Sequence, residues 1–146
     1  MHKSLRNILP IGAAVLLAFS TAAAAKTVTL GGDFVTEHGA TNQPSGHVKA
    51  TLDTVTHELK YTIDYKGFTG PITIAHFHGP AAADADAGVL KPIPGPYQSG
   101  MSNTVTIDAA TQSAMLNGLT YVNLHTKQYP KGEARAQMKV SESPGM

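Results

Sequence analysis

"ELKYTIDYKGF", Glu58 to Phe68, alternates without a break: Leu59, Tyr61, Ile63 and Tyr65 share one parity, and Lys60, Thr62, Asp64 and Lys66 share the other. In an extended chain successive side chains point to opposite faces, so this stretch is a strand with one face in an apolar core and one in water. "HVKATLD" (His47–Asp53) repeats the pattern, with Val48, Ala50 and Leu52 opposed to His47, Lys49 and Thr51. Between the two, "DTVTH" (Asp53–His57) reads as the connection of a hairpin. Farther along, "NTVTID", "TYVNLHT" and "EARAQMKV" look like further strands, bounded by Gly, Pro and Asn. The expected fold is therefore all-β, an antiparallel Greek-key-like β-sandwich. One short helix is expected over Ala109–Leu116, because Asp108 can cap "AATQSAML" and Gly118 can end it. The longest irregular stretch is expected from Gly79 to Ser102, where four prolines follow Gly79 in an ordered but non-repetitive excursion.

The amino terminus is of another kind. "MHKSLRN" is basic, "ILPIGAAVLLAF" is a short apolar core and "STAAAA" is a tail of small residues, which together are the pattern of a secretory signal peptide. Pro10 early in the apolar run and the Ala23-x-Ala25 site favour cleavage after Ala25 over a retained anchor, and no cysteine is present to carry a lipid. Residues 26–146 are then expected to form one domain, periplasmic or secreted. Loss of Lys3 and Arg6 takes the formal charge from +1 to −1, leaving no basic stripe for nucleic acid or an anionic membrane surface. With no cysteine, any metal site must be built from His, carboxylate or Met. Nucleophile elbows, phosphate loops, zinc-protease helices and paired carboxylates are all missing, which sets hydrolase chemistry aside.

The candidate chemistry lies in "IAHFHGP", Ile74–Pro80. In "PITIAHFHG" the core face is ambiguous, since Ile72 and Ile74 share parity with the histidines while Ala75 and Phe77 take the other. On either assignment His76 and His78 share a face, and a third imidazole from another strand would complete a three-nitrogen site. In "TYVNLHT" the apolar Val122 and Leu124 should point inward, turning Tyr121, Asn123 and His125 outward. In "EARAQMKV" Ala134, Ala136, Met138 and Val140 look inward, so Glu133, Arg135 and Gln137 turn outward. The expected ligands are His76, His78 and His125, with Asn123 and Glu133 around the ion rather than on it. His38, His47 and His57 are expected to be ordinary surface residues. Asp84 and Asp86 offer too few oxygens for calcium and read as a solvated acidic loop.

"IAHFHGPA" followed by "LTYVNLHTKQYPKGEARAQM" resembles the paired signatures of the CHRD domain, the module named after chordin. The likeness extends from "LGGDF" to Gln137 and implies an extracytoplasmic β-sandwich. "FVTEHGATNQPSG" lacks the Pro-Pro of the family, and the His-Gly-Pro loop is rich in Ala and Asp where the family has Gly and Asn. The order His76, His78, His125, Arg135 is also similar, more distantly, to copper/zinc superoxide dismutase. The bridging histidine, the zinc ligands and the disulfide of that family have no counterparts, so the likeness implies at most a mononuclear, zinc-free site.

Three function classes remain open: a copper- or zinc-binding module, a copper-dependent superoxide dismutase-like oxidoreductase with Arg135 guiding a small anion, and a metal-free interaction or structural module. In the last, the same motifs form a polar network that satisfies loop backbone groups. The sequence names no protein partner. The intact mass of the exported protein should correspond to a chain beginning near Lys26; a mass that retains the first 25 residues, in the membrane fraction, would contradict the signal-peptide assignment.

Overall fold

Alternation in the sequence becomes eight strands: β1 Thr27–Thr36, β2 Ser45–Asp53, β3 Glu58–Lys66, β4 Ile72–His78, β5 Val89–Ile93, β6 Met101–Thr106, β7 Thr120–Thr126 and β8 Ala134–Val140. One helix, α1 Ala109–Leu116, joins β6 to β7. The structure, a computed structural model, describes residues 17–18 and 26–141, so the signal peptide expected at the amino terminus falls, apart from Leu17 and Ala18, outside the described residues. Among the described residues no helix is long and apolar enough to cross a membrane.

Every strand pairing is antiparallel, and the strands form one sheet in the order β5-β4-β7-β8-β1-β2-β3-β6. The sheet is curled. Tyr61 on β3 meets Phe77 on β4 edge to face at 5.3 Å, although β7, β8, β1 and β2 lie between them in the sheet. The expected sandwich is therefore two halves of one continuous sheet, joined where β8 pairs with both β7 and β1. At that seam Gly32 allows a close approach, because a Cβ there would lie 2.1 Å from the Gln137 carbonyl oxygen. Burial of Leu30, Val48, Leu52, Leu59, Ile63, Phe77, Leu124 and Met138 between the halves supplies the main apolar driving force. The β2–β3 hairpin sets Leu52 opposite Leu59, as the two alternating stretches require. At α1 the Asp108 carboxylate accepts from the Thr111 amide at 2.7 Å, and Gly118 follows the helix at φ +71°.

The structure departs from the sequence reading in several places. The Gly79–Ser102 excursion is not wholly irregular: it contains β5, paired with β4, and the start of β6. Its prolines hide the strand, but β5 is at the sheet edge, where Pro92 lacks an N–H that no neighbour needs. In β4 a register shift between Ile72 and Ile74 resolves the parity conflict. Ile72 joins Ala75 and Phe77 in the core, while Ile74 stays 41% exposed on the histidine face. Val140, expected inward, is exposed at the end of β8. β7 is buried at all seven positions, so the face that alternation turns outward is covered rather than solvated.

Phe77 is fully buried and bridges the two halves, so Phe77→Ala should cost about 3–5 kcal/mol of unfolding free energy by the usual cavity penalty. Urea unfolding followed by circular dichroism measures it, and a loss below about 1 kcal/mol would mean that the halves do not depend on this contact.

Candidate metal centre

β4 and β7 lie side by side with Ile74 opposite His125, His76 opposite Asn123 and His78 opposite Tyr121. Ala75 and Phe77 occupy the core face of β4, which turns His76 and His78 to the outer face; Leu124 does the same for His125 on β7. The three rings converge. Their centroids are 5.5 Å apart for His76–His78, 5.5 Å for His76–His125 and 6.4 Å for His78–His125. One nitrogen of each ring lies within 4.8 Å of the others. An ion bonded tetrahedrally to each at about 2.0–2.1 Å requires nitrogens roughly 3.3–3.4 Å apart, so binding would draw each ring inward by less than about 1 Å.

Hydrogen bonding decides which nitrogens are free. A carbonyl oxygen can only accept, so His78 donates from Nδ1 to the Ala87 oxygen at 3.0 Å, and His125 donates from Nδ1 to the Pro130 oxygen at 2.9 Å. In the neutral rings Nε2 then carries a lone pair. Nε2 of His78, Nε2 of His125 and Nδ1 of His76 are all buried without a hydrogen-bond partner among the described residues. Burial holds His76 below the usual histidine range, and repulsion from His78 and His125 adds to it. Burial lowers His78 as well; the carbonyls of Ala87 and Gly88 oppose this, while His125 and Arg135 reinforce it. Three imidazoles, each offering an orphaned nitrogen, fit a borderline divalent ion.

The rest of the outer face is a covered polar layer. β4 and β8 flank β7, so His78 and Arg135 approach the Tyr121 ring from opposite sides: His78 stacks on it at 5.0 Å and 6°, and the guanidinium carbon lies 3.5 Å from its centroid. Arg135, only 3% exposed, donates to the carbonyls of Ala82 and Ala85 and to the Gln137 side chain, with Glu37 and Asp86 carboxylates 3.6 and 3.5 Å away. These bonds hold the loop after β4 over the site. Asn123 donates to the Glu37 carboxylate and packs against Gly132, where a Cβ would stand 2.2 Å from the Asn123 amide oxygen. Burial raises the Glu37 carboxyl above its usual range despite His38, Arg135 and Asn123, which favour the anion; Asp86 pushes it higher.

Glu133 is fully buried one residue before β8. Its carboxylate accepts from the Thr69 amide at 2.8 Å, the Thr69 hydroxyl at 2.6 Å, the Thr126 hydroxyl and the Asn42 amide, tying three segments together. Neither Asn123 nor Glu133 bonds to the three histidines: Asn123 engages Glu37, and Glu133 engages Asn42, Thr69 and Thr126. His38 bonds the Gly132 carbonyl and His57 the Gln112 side chain, each from a backbone at positive φ, so both brace turns. His47 is half-exposed beside Asp64 at 3.4 Å. Asp84 and Asp86 are exposed. Sequence reasoning missed Tyr121 and Glu37 as parts of the site. Tyr121 shares the parity of Asn123 and His125 and was detectable from it; Glu37 reaches the site only through the fold.

The family model of the CHRD domain matches residues 26–138. Neither a curated protein nor a solved structure matches the chain significantly.

Burial works to raise the Glu133 carboxyl, but hydrogen bonds from Thr126, Thr69 and Asn42 outweigh it and hold the group below its ordinary value of 4.5. The unfolded chain therefore binds more protons between the two values, so stability from this group is complete above pH about 4.5 and is lost as pH falls through the lowered folded value. Glu133→Gln should cost about 2–3 kcal/mol at pH 7, because charge-assisted bonds weaken and buried donors lose acceptors. It should also flatten the acid limb; urea midpoints from pH 3 to 7 that remain parallel to wild type would contradict this role.

Proposed function

This chain belongs to the CHRD domain family, and on that premise we propose that it is an exported metal-binding domain whose ion, copper(II) or zinc, is held by His76, His78 and His125. The observation that carries the reading is the convergence of three imidazole nitrogens that are buried and otherwise without partners. Polar atoms left unpaired in a covered site cost free energy, and an ion that accepts all three lone pairs removes that cost at once. Carbonyl acceptors behind His78 and His125 fix the ring tautomer and raise the basicity of the opposite nitrogen, as the remote partners of metal-bound histidines do. Three nitrogens leave a position for water or an exogenous ligand, and imidazole suits both ions.

In this reading the chain's own residues divide the work. Tyr121 and Arg135 position His78 and the loop after β4, Glu133 fixes the turn that carries the Pro130 carbonyl, and Asn123 with Glu37 fills the space beneath Gly132. Superoxide turnover gains no specific support, since the donors of Arg135 are spent on Ala82, Ala85 and Gln137 and its charge faces Glu37 and Asp86. The charged layer also serves stability by itself, as a metal-free module would require.

Titration calorimetry of the metal-free protein with copper(II) and zinc tests the proposal. One ion per chain should bind, and His125→Ala should weaken binding by a hundredfold or more, whereas Arg135→Ala should change it far less. Affinity should be full above pH about 6.5 and fall as pH drops through the lowered values of His76 and His78, because the ion competes with protons for their nitrogens. The metal-free fold should lose stability over the same window, since the unfolded histidines take up protons first. No binding beyond that of the triple histidine variant would end the metal reading.

A further inference from the structure

The three candidate ligands are not held alike. His78 is fixed twice, by its Nδ1 bond to the Ala87 carbonyl and by stacking on Tyr121, whose hydroxyl itself engages Ala87 at both N–H and carbonyl. His125 is 8% exposed, and the carbonyl that receives its Nδ1 proton lies in a turn closed by the Gly132 amide on the Tyr129 carbonyl. Nδ1 of His76 is buried without a hydrogen-bond partner among the described residues, and the residue as a whole is only half-buried. Its neighbours across the sheet are Pro92 on one side, which has no polar side-chain atom, and Asn123 on the other, whose amide nitrogen donates to Glu37. Its aromatic neighbours are the His78 and His125 rings, each about perpendicular to it with centroids 5.5 Å away.

We propose that His76 is the exchangeable ligand of the centre, the side on which the ion enters and leaves while His78 and His125 retain it. This rests on the metal-binding reading above. A remote acceptor orients a ligand imidazole and strengthens its bond to the ion, and its removal from a site typically costs about 10–100-fold in affinity. His78 and His125 have such acceptors built into the backbone; His76 has none. The bond to His76 is accordingly the weakest of the three and the first to open. An incoming nitrogen or carboxylate ligand would compete with His76 for the ion while His78 and His125 would still hold it. Such a centre suits a carrier that hands its ion to an acceptor of similar ligand chemistry rather than one that locks it away.

Two measurements test this on the full mature chain. In the first, long-range 1H–15N correlation of the metal-free protein should show His78 and His125 each as a single Nδ1–H tautomer with a slowly exchanging ring proton. His76 should show averaged tautomers, and a single fixed His76 tautomer with a protected proton would overturn the proposal. The second follows loss of bound copper(II) to excess EDTA by stopped flow, in wild type and in His76→Ala, His76→Gln, His78→Ala and His125→Ala, with circular dichroism to confirm folding. His76→Ala and His76→Gln should keep one ion per chain and release it about 10–100-fold faster, while His78→Ala and His125→Ala should retain none at micromolar concentration. Loss of the ion from both His76 variants as complete as from His125→Ala removes this inference and leaves the metal reading standing. A wild type that binds no copper removes both.

Discussion

A strand covered on both faces must find a protein partner for every donor and acceptor it carries, and β7 is covered along its whole length. Its inner side meets the apolar core. Its outer side carries Tyr121, Asn123 and His125, polar groups that would normally face water. The surrounding architecture answers that constraint: the loop after β4 supplies the Ala87 groups, the turn after β7 supplies the Pro130 carbonyl, and the end of β1 supplies Glu37. After these are paired, one nitrogen on each of three rings is left over, together with the Asn123 amide oxygen and the Thr120 hydroxyl on the same strand. Of these leftover groups, the three nitrogens are the ones that converge on a common point.

The polar layer and the histidine cluster are therefore one design seen at two distances. Arg135 and Glu133 are too buried for ordinary surface charges, and each is held by several hydrogen bonds rather than by a single ion pair, while Glu37 is held by Asn123 and by the Arg135 charge. Burying a charge is costly unless its hydrogen bonds are complete, and breaking one partner costs more than the pair contributes. Rigid loops are the result. Rigid loops in turn fix the carbonyls that orient His78 and His125, and the strand backbone fixes the spacing between the rings.

Most of the fold was legible in the sequence because a period of two is a strong signal where one face is wet. β2, β3 and the hairpin between them follow directly from Val48 to Leu52 and Leu59 to Ile63. α1 was legible from Asp108 and Gly118. β5 was not, since Pro92 and its neighbouring prolines argue locally for loop and only an edge position permits them. The pairing of His76 with His78 on one face was legible from spacing, and His125 from the parity of β7. Their convergence depends on β4 lying beside β7, a long-range pairing that no local pattern encodes. The unequal anchoring of the three rings was illegible for the same reason: the acceptors are backbone carbonyls, which every residue has, and only the fold decides which of them point at a ring.

The seam between β1 and β8 sets an order of events. Leu30 pairs with Val140, so one of the first strands made waits for the last before the sheet can continue across it. Contacts of such wide sequence separation are slow to form and late in folding. β7 borders the same late strand, and Arg135 and Glu133, which brace the rings, lie on or beside it. A chain emerging from the ribosome, or threading through a narrow pore, would carry its histidines as separate, unbraced side chains until its final segment is free. The complete set of nitrogens would then come together only once β8 has paired with β1 and β7, after the rest of the sheet is in place.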